Sequence, residues 1–242
     1  MISPGILGVV ASRRRGGGTA PFATGTVLQC HFEGADLSTT FTDSVGGKTI
    51  TRVGSPVIST TQAKIGSASG KFLVATSDAL SLARSSDFDF GSGDSDVDMW
   101  VYPTTLSGVQ GLFYNTKANA RGFVLATSGS SLAALGYDNA GGLVYNITSG
   151  VGVMVANVWQ HVAVTRSGSS IRLFAAGSVV GTATAGGSGV IEPNTNGFVS
   201  IGEDPVNAGR TWPGYIDELR VVKGNAVWTS AFTPYTDPYA DS

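Results

Sequence analysis

Cysteine, histidine and charge are all scarce in this chain, and each shortage removes a class of function. The lone Cys30 excludes an intrachain disulfide framework and fits no metal-binding cysteine spacing. Leu28, Cys30 and Phe32 share one parity of a short apolar stretch, so Cys30 is expected as a small core side chain. His31 and His161 are the two histidines, and no G-x-S-x-G or comparable nucleophile motif accompanies either. Nucleophilic catalysis and zinc binding are poorly served by this inventory, and His161 is expected as a packed, hydrogen-bonded ring.

Charged residues are 13% of the chain, against roughly 25% in ordinary globular proteins. Arg13, Arg14 and Arg15 supply three of the fifteen basic residues within an N-terminal stretch that holds no acid, which leaves the remainder mildly acidic. A nucleic-acid binder needs a basic stripe to neutralise phosphates, so that class of partner is not expected. No apolar run approaches the roughly 20 residues of a membrane span. The apolar run from Ile6 to Ala11 precedes its positive charges, the reverse of a secretory signal, so export by such a signal is not expected.

Helical periodicity is also missing. No window of 11 or more residues keeps apolar positions at i, i+3, i+4 and i+7 without an intervening Gly or Pro. What is present instead is glycine (34 residues), many hydroxyl side chains and a period of two. Strands are predicted at Val27 to Glu33, Lys71 to Ala75, Ala79 to Ala83, Val97 to Tyr102, Val109 to Tyr114, Phe123 to Ala126 and Leu132 to Tyr137. Further strands are predicted at Leu143 to Ile147, His161 to Arg166, Ile171 to Ala175, Phe198 to Gly202 and Tyr215 to Val222. About a dozen short strands with Gly, Ser, Asn and Asp turns predict an all-β sandwich or barrel.

Parity adds detail. Val97, Met99 and Val101 alternate with Asp98, Trp100 and Tyr102, and Val162 and Val164 alternate with His161, Ala163 and Thr165. Both faces of this sheet are therefore expected to be covered or functional. Residues 1–25 differ from everything after them: an apolar patch with Ile6 and Leu7, the Arg13 to Arg15 triplet, then Gly16 to Gly18 and Pro21. Two readings stand for this arm, a disordered terminus or an anchor that orders against a partner.

Three stretches resemble laminin-G-like, concanavalin A-like domains. The first is Trp159 to Gly168, followed by Ile171 to Phe174 and Gly177, which is similar to a W-x-H-V-A-V-T-R strand pair. The second is Phe88 to Gly91 with Val97 to Pro103. The third runs from Gly214 to Val221 and on through Lys223-Gly224, Ala226 to Thr229 and Ala231 to Pro234. This last combination resembles modules found in structural proteins of tailed bacteriophages. The resemblance implies a two-sheet antiparallel jelly roll over residues 26–236, between the 1–25 arm and a 237–242 tail.

It also implies a non-catalytic virion protein, a capsid decoration or a tail or head-fibre part, assembled in the host cytoplasm and exposed on the virion surface. Other virion proteins would be held through residues 1–25, cell-surface glycans would be secondary partners, and a homo-oligomer fits such appendages. A stand-alone carbohydrate-binding lectin and a glycoside hydrolase are the alternatives. The resembling hydrolases carry an E-x-D-x-x-E strand, and this chain has none. Its nearest acidic cluster, Asp94, Asp96 and Asp98, puts like charges on one face, where a solvated or metal-soothed edge is expected instead of a catalytic pair.

Related jelly rolls hold a structural calcium between an acid after the first strand and one in the last, places that Glu33 and Asp217 occupy here. The alternative is that Asp217 and Glu218 accept hydrogen bonds from the backbone or Arg220. For a glycan, aromatic faces and nearby amides mark Tyr137, Asn139 and Tyr145 around one hairpin, with Asp138 and Asn146, and Arg210 with Trp212 in a later loop. The alternative is that these aromatics are rim packing.

Overall fold

The computed structural model describes residues 22–117, 120–191 and 197–242. Among the described residues fifteen strands form two antiparallel sheets packed face to face, and the helical content is limited to the 3-10 turns Val74–Thr76 and Ser86–Phe88. In chain order the strands are β1 (Thr26–Cys30), β2 (Ile50–Val53), β3 (Val57–Ser59), β4 (Ser69–Phe72), β5 (Ala79–Ala83), β6 (Ser95–Pro103), β7 (Val109–Lys117) and β8 (Ala120–Ser128). They continue as β9 (Ser131–Tyr137), β10 (Leu143–Thr148), β11 (Gln160–Ser167), β12 (Ser170–Ala175), β13 (Ser178–Thr184), β14 (Phe198–Ile201) and β15 (Gly214–Lys223).

The eight-stranded sheet runs β13-β12-β11-β6-β15-β4-β3, with β1 also paired to β15. The seven-stranded sheet runs β10-β9-β8-β7-β14-β5-β2. Val97, Met99 and Val101 of β6 and Val162 and Val164 of β11 all enter the core between the sheets, as their parity requires. Cys30 joins them as a buried hydrophobe, and burial pushes its thiol pKa up, away from reactivity. The three strands not expected from the sequence, β2, β3 and β13, are all sheet edges. Ile50–Val53 and Ser178–Thr184 contain no fully buried residue, so neither carries a run of apolar positions.

The outer face of the eight-stranded sheet is sealed over its middle strands. Residues after Gly224 fold back over it, with Trp228 and Phe232 stacked at 3.7 Å against Phe174 and Ala163. Under this cover lies a charged row. Arg220 holds Asp98 through two hydrogen bonds of 3.2 and 2.6 Å, and the Trp228 indole donates to the same carboxylate at 2.7 Å. Tyr239 closes the row: its hydroxyl lies 3.0 Å from His161 Nε2, its backbone N–H donates to Glu218 at 2.9 Å, and Arg220 lies 4.0 Å over its ring.

This corrects one expectation. Asp96 and Asp98 are not a solvated edge but are buried at 1% and 0% exposure, with Thr165 donating to Asp96 and Arg220 neutralising Asp98. Only Asp94 of the three lies outside the buried set, accepting the Gly168 N–H at 2.7 Å. His161 is the packed ring its surroundings predict, edge-on to Trp100 and held by burial at a pKa of about 4, hence neutral near pH 7.

Candidate functional site

Among the described residues the outer face of the seven-stranded sheet carries a groove of about 280 Å³ over β7 to β10. Registration explains its shape. Tyr114, Val124, Leu135 and Asn146 stand in one cross-strand row, while the next row is Gly111, Ala126, Ala133 and Thr148. Large side chains beside small ones make a wall and a floor. Tyr137 forms the far side, half-buried, while Tyr114 sits at the base with 1% exposure.

Gly111 is needed for a second reason. A Cβ there would stand 2.6 Å from Glu203 C and from Asp204 N, so the 203–213 loop crosses the sheet where no side chain can stand. The Gly111 N–H donates to Arg210 O at 2.7 Å, fixing the other end of this loop. Between these points the buried Asp204 accepts from the Val206 and Asn207 N–H groups and from the Asn207 amide. It also holds Arg210 Nη1 at 3.0 Å, which orients the guanidinium at the groove. Among the described residues, Arg210 is the one ionisable cation in a lining otherwise made of aliphatic, hydroxyl, amide and tyrosine groups. Such a surface offers ring faces for C–H groups and directed donors for hydroxyls.

Of the residues the sequence singles out for a ligand, Tyr137 and Arg210 line this groove, and Asn146 stands beside them. Asn139 is exposed in the turn beyond Tyr137 and does not line it. Tyr145 and Trp212 are corrected: both belong to the core between the sheets, at 4% and 0% exposure, and the Trp212 indole donates to Tyr215 O at 3.3 Å. For Tyr145 the reason is a β-bulge. The register shifts between Leu143 and Tyr145, so consecutive Val144 and Tyr145 both turn inward. The same happens between Gly111 and Phe113, where Leu112 and Phe113 both enter the core and Tyr114 is turned outward, a groove residue that strict alternation does not reveal.

Glu33 and Asp217 meet a common loop. Glu33 accepts from Ser67 N, Ser67 Oγ and Ala68 N, and Asp217 Oδ2 accepts from Lys64 N and Ile65 N at 2.9 and 3.0 Å. Burial raises Asp217 to a pKa of about 7, and its Oδ1 is buried with no partner among the described residues. One orphan oxygen beside carboxylates already committed to N–H groups does not fit calcium, which takes 6–8 oxygens. No group of three or more His, Cys, Asp or Glu suited to a metal is found among the described residues. The arm residues Ile6, Leu7, Arg13, Arg14 and Arg15 lie outside the described residues.

Residues 74–228 match the Laminin_G_3 family, described as the concanavalin A-like lectin/glucanases superfamily. The chain belongs to this superfamily. No curated protein matches it. Among solved structures, this concanavalin A-like chain is similar to the binding domain of Paraclostridial Mosquitocidal Protein 1. The TM-score there is 0.68 at 13% identity, covering 84% of this chain and 49% of that one. The receptor binding domain of botulinum neurotoxin type G gives a TM-score of 0.60 at 14% identity, with 84% and 49% covered. Domain 4 of AbnA, a GH43 extracellular arabinanase from Geobacillus stearothermophilus solved with arabinotriose, gives 0.59 at 17% identity, with 83% and 93% covered. The chain spans about half the length of the toxin binding domains it matches. At these identities the likeness is one of fold.

Proposed function

We propose that this protein is a non-catalytic binding module that takes a carbohydrate in the groove over β7 to β10. The observation that carries the reading is the Asp204–Arg210 clasp, a buried carboxylate that orients a donor beside Tyr137 and Asn146 on an otherwise uncharged surface. Groove volume supports one or two sugar rings, near the lower end of the roughly 300–1,000 Å³ of ligand clefts. The acidic row offers no alternative as a glycosidase site, because Asp96 and Asp98 are sealed beneath Trp228 and Tyr239 and cannot flank a glycosidic bond.

The module is further proposed to sit on a tailed-phage virion as a capsid decoration or fibre component, attached through residues 1–25 to other virion proteins. Support comes from the resemblance of the Gly214 to Pro234 stretch and from the position of Gly25, the last residue of the 1–25 stretch. β15 has ten residues, from Gly214 beside the 203–213 loop to Lys223, whose N–H donates to Gly25 O. At about 3.3 Å per residue, Gly25 lies about 30 Å along the sandwich from the end that carries Arg210. Attachment through residues 1–25 would then be separated from display. A stand-alone lectin is the second reading, favoured by the arabinanase module solved with arabinotriose.

A glycan array with the full chain tests the binding function. Hits that Tyr137→Ala and Asn146→Ala each weaken at least tenfold support it, and a blank array overturns it. Deleting residues 1–25 separates the two settings. Loss from particles with glycan binding intact is the expected result, and full particle occupancy without the arm refutes attachment through it.

A further inference from the structure

A second concavity lies on the opposite sheet, outside the C-terminal cover, on the outer face of the β12–β13 edge. It measures about 430 Å³ and is lined by Ser170, Arg172, Thr182 and Thr184, with Ile171 and Ala183. Its polar groups come from pairing: Arg172 is opposite Thr182, and Ser170 is opposite Thr184, so three hydroxyl-bearing residues and one arginine line the same stretch of the edge. Among the described residues no carboxylate lines it.

Arg172 differs from the arginines around it. Arg84, Arg210 and Arg220 are paired with Asp89, Asp204 and Asp98, and Arg166 donates to Gly168 O and Gly91 O. Arg172 Nη1 is buried and has no hydrogen-bond partner among the described residues. The nearest acid along its row is Asp96, two strands away, and Thr165 stands between them and donates to that carboxylate. A guanidinium is charged at every physiological pH and carries five donors, so one left without an acceptor in a hydroxyl-lined hollow is matched to an acceptor-rich anion.

We propose that this concavity is an oxyanion site, which takes the sulfate, phosphate or carboxylate group of an anionic ligand. Arg172 supplies the charge and the planar fork, and Ser170, Thr182 and Thr184 supply neutral donors around it. The Arg172 side chain is half-buried and lines the hollow as it stands. The site is independent of the groove over β7 to β10, which lies on the other sheet, and gives the module a second, charge-selective contact.

The test is amide chemical-shift mapping on the full chain at constant ionic strength, with three probes: inorganic sulfate, a sulfated dextran oligosaccharide and the uncharged dextran oligosaccharide. The expected result is saturable shifts at residues 170–172 and 182–184 with a sulfated probe and none with the uncharged one. Arg172→Gln is expected to weaken binding at least tenfold and Arg172→Lys several-fold, each judged in a spectrum whose dispersion shows the fold intact. Equal binding of inorganic sulfate and the oligosaccharide assigns the site to free oxyanions, and binding of the oligosaccharide alone assigns it to anionic glycans. Absence of shifts at these strands overturns the proposal. So does an equal loss in Arg52→Gln, whose Nε is likewise buried without a partner among the described residues but which lies outside this concavity.

Discussion

The two outer faces of the sandwich invert the usual placement of polar and apolar groups. On the eight-stranded sheet Asp96, Asp98, His161, Glu218 and Arg220 are buried beneath the aromatic C-terminal cover. On the seven-stranded sheet a floor of Gly111, Ala126 and Ala133 faces an open groove. The charged face is therefore structural and the nearly neutral face is available. Buried charge demands partners and becomes fixed, whereas small side chains leave room for something else to pack.

The largest expected difference between the faces is in stability. Arg220→Met leaves Asp98 buried with its charge unpaired and is expected to cost about 3–5 kcal/mol in urea unfolding. The matching change in the groove, Arg210→Met, is expected to cost roughly 1 kcal/mol, because three N–H groups remain on Asp204. Equal losses would break the comparison. Gly111→Val comes next, at about 1–3 kcal/mol for the overpacking against the 203–204 backbone, with ligand affinity falling at least tenfold as Arg210 is displaced.

Tyr239→Phe removes the hydroxyl from His161 and is expected to cost about 1 kcal/mol with no change in ligand affinity. The subtlest expectation concerns pH. His31 lies between Glu218 and Asp241, whose hydrogen bonds and charges raise its pKa to about 9. The folded state then holds a proton that the unfolded chain releases near pH 6.5, so this contribution is complete below about 6.5 and lost as pH rises to about 9. His31→Gln is expected to flatten the unfolding free energy over that range.

On the acid side two groups oppose each other. His161, lowered to about 4, makes stability rise with pH between about 4 and 6.5, while Asp217, raised to about 7, makes it fall between about 4 and 7. His161→Gln and Asp217→Asn should each expose the slope of the other in the same titration.

Legibility in the sequence followed the same division. β6 and β11 were readable because strict alternation separates Val97, Met99 and Val101 from Asp98 and Trp100, and membership of the core between the sheets follows that alternation. The groove was only partly readable. Tyr137 and Arg210 stand in it, but bulges in β7 and β10 each place two consecutive residues in the core, which hides Tyr145 and exposes the row to Tyr114. A bulge has no period, so no alternation rule can announce it. The C-terminal cover was unreadable for a different reason. Trp228, Phe232 and Tyr239 form no regular element, and what they cover is set by distant partners, Asp98 and His161.

The most direct test of the central claim is a chemical-shift titration of the full chain with an uncharged oligosaccharide taken from the glycan array. The account predicts saturable shifts at Leu135, Tyr137, Asn146 and Arg210, abolished by Tyr137→Ala, with Asp98, Arg220 and Trp228 unmoved. Saturable binding that leaves the groove silent and moves the covered face instead would contradict it.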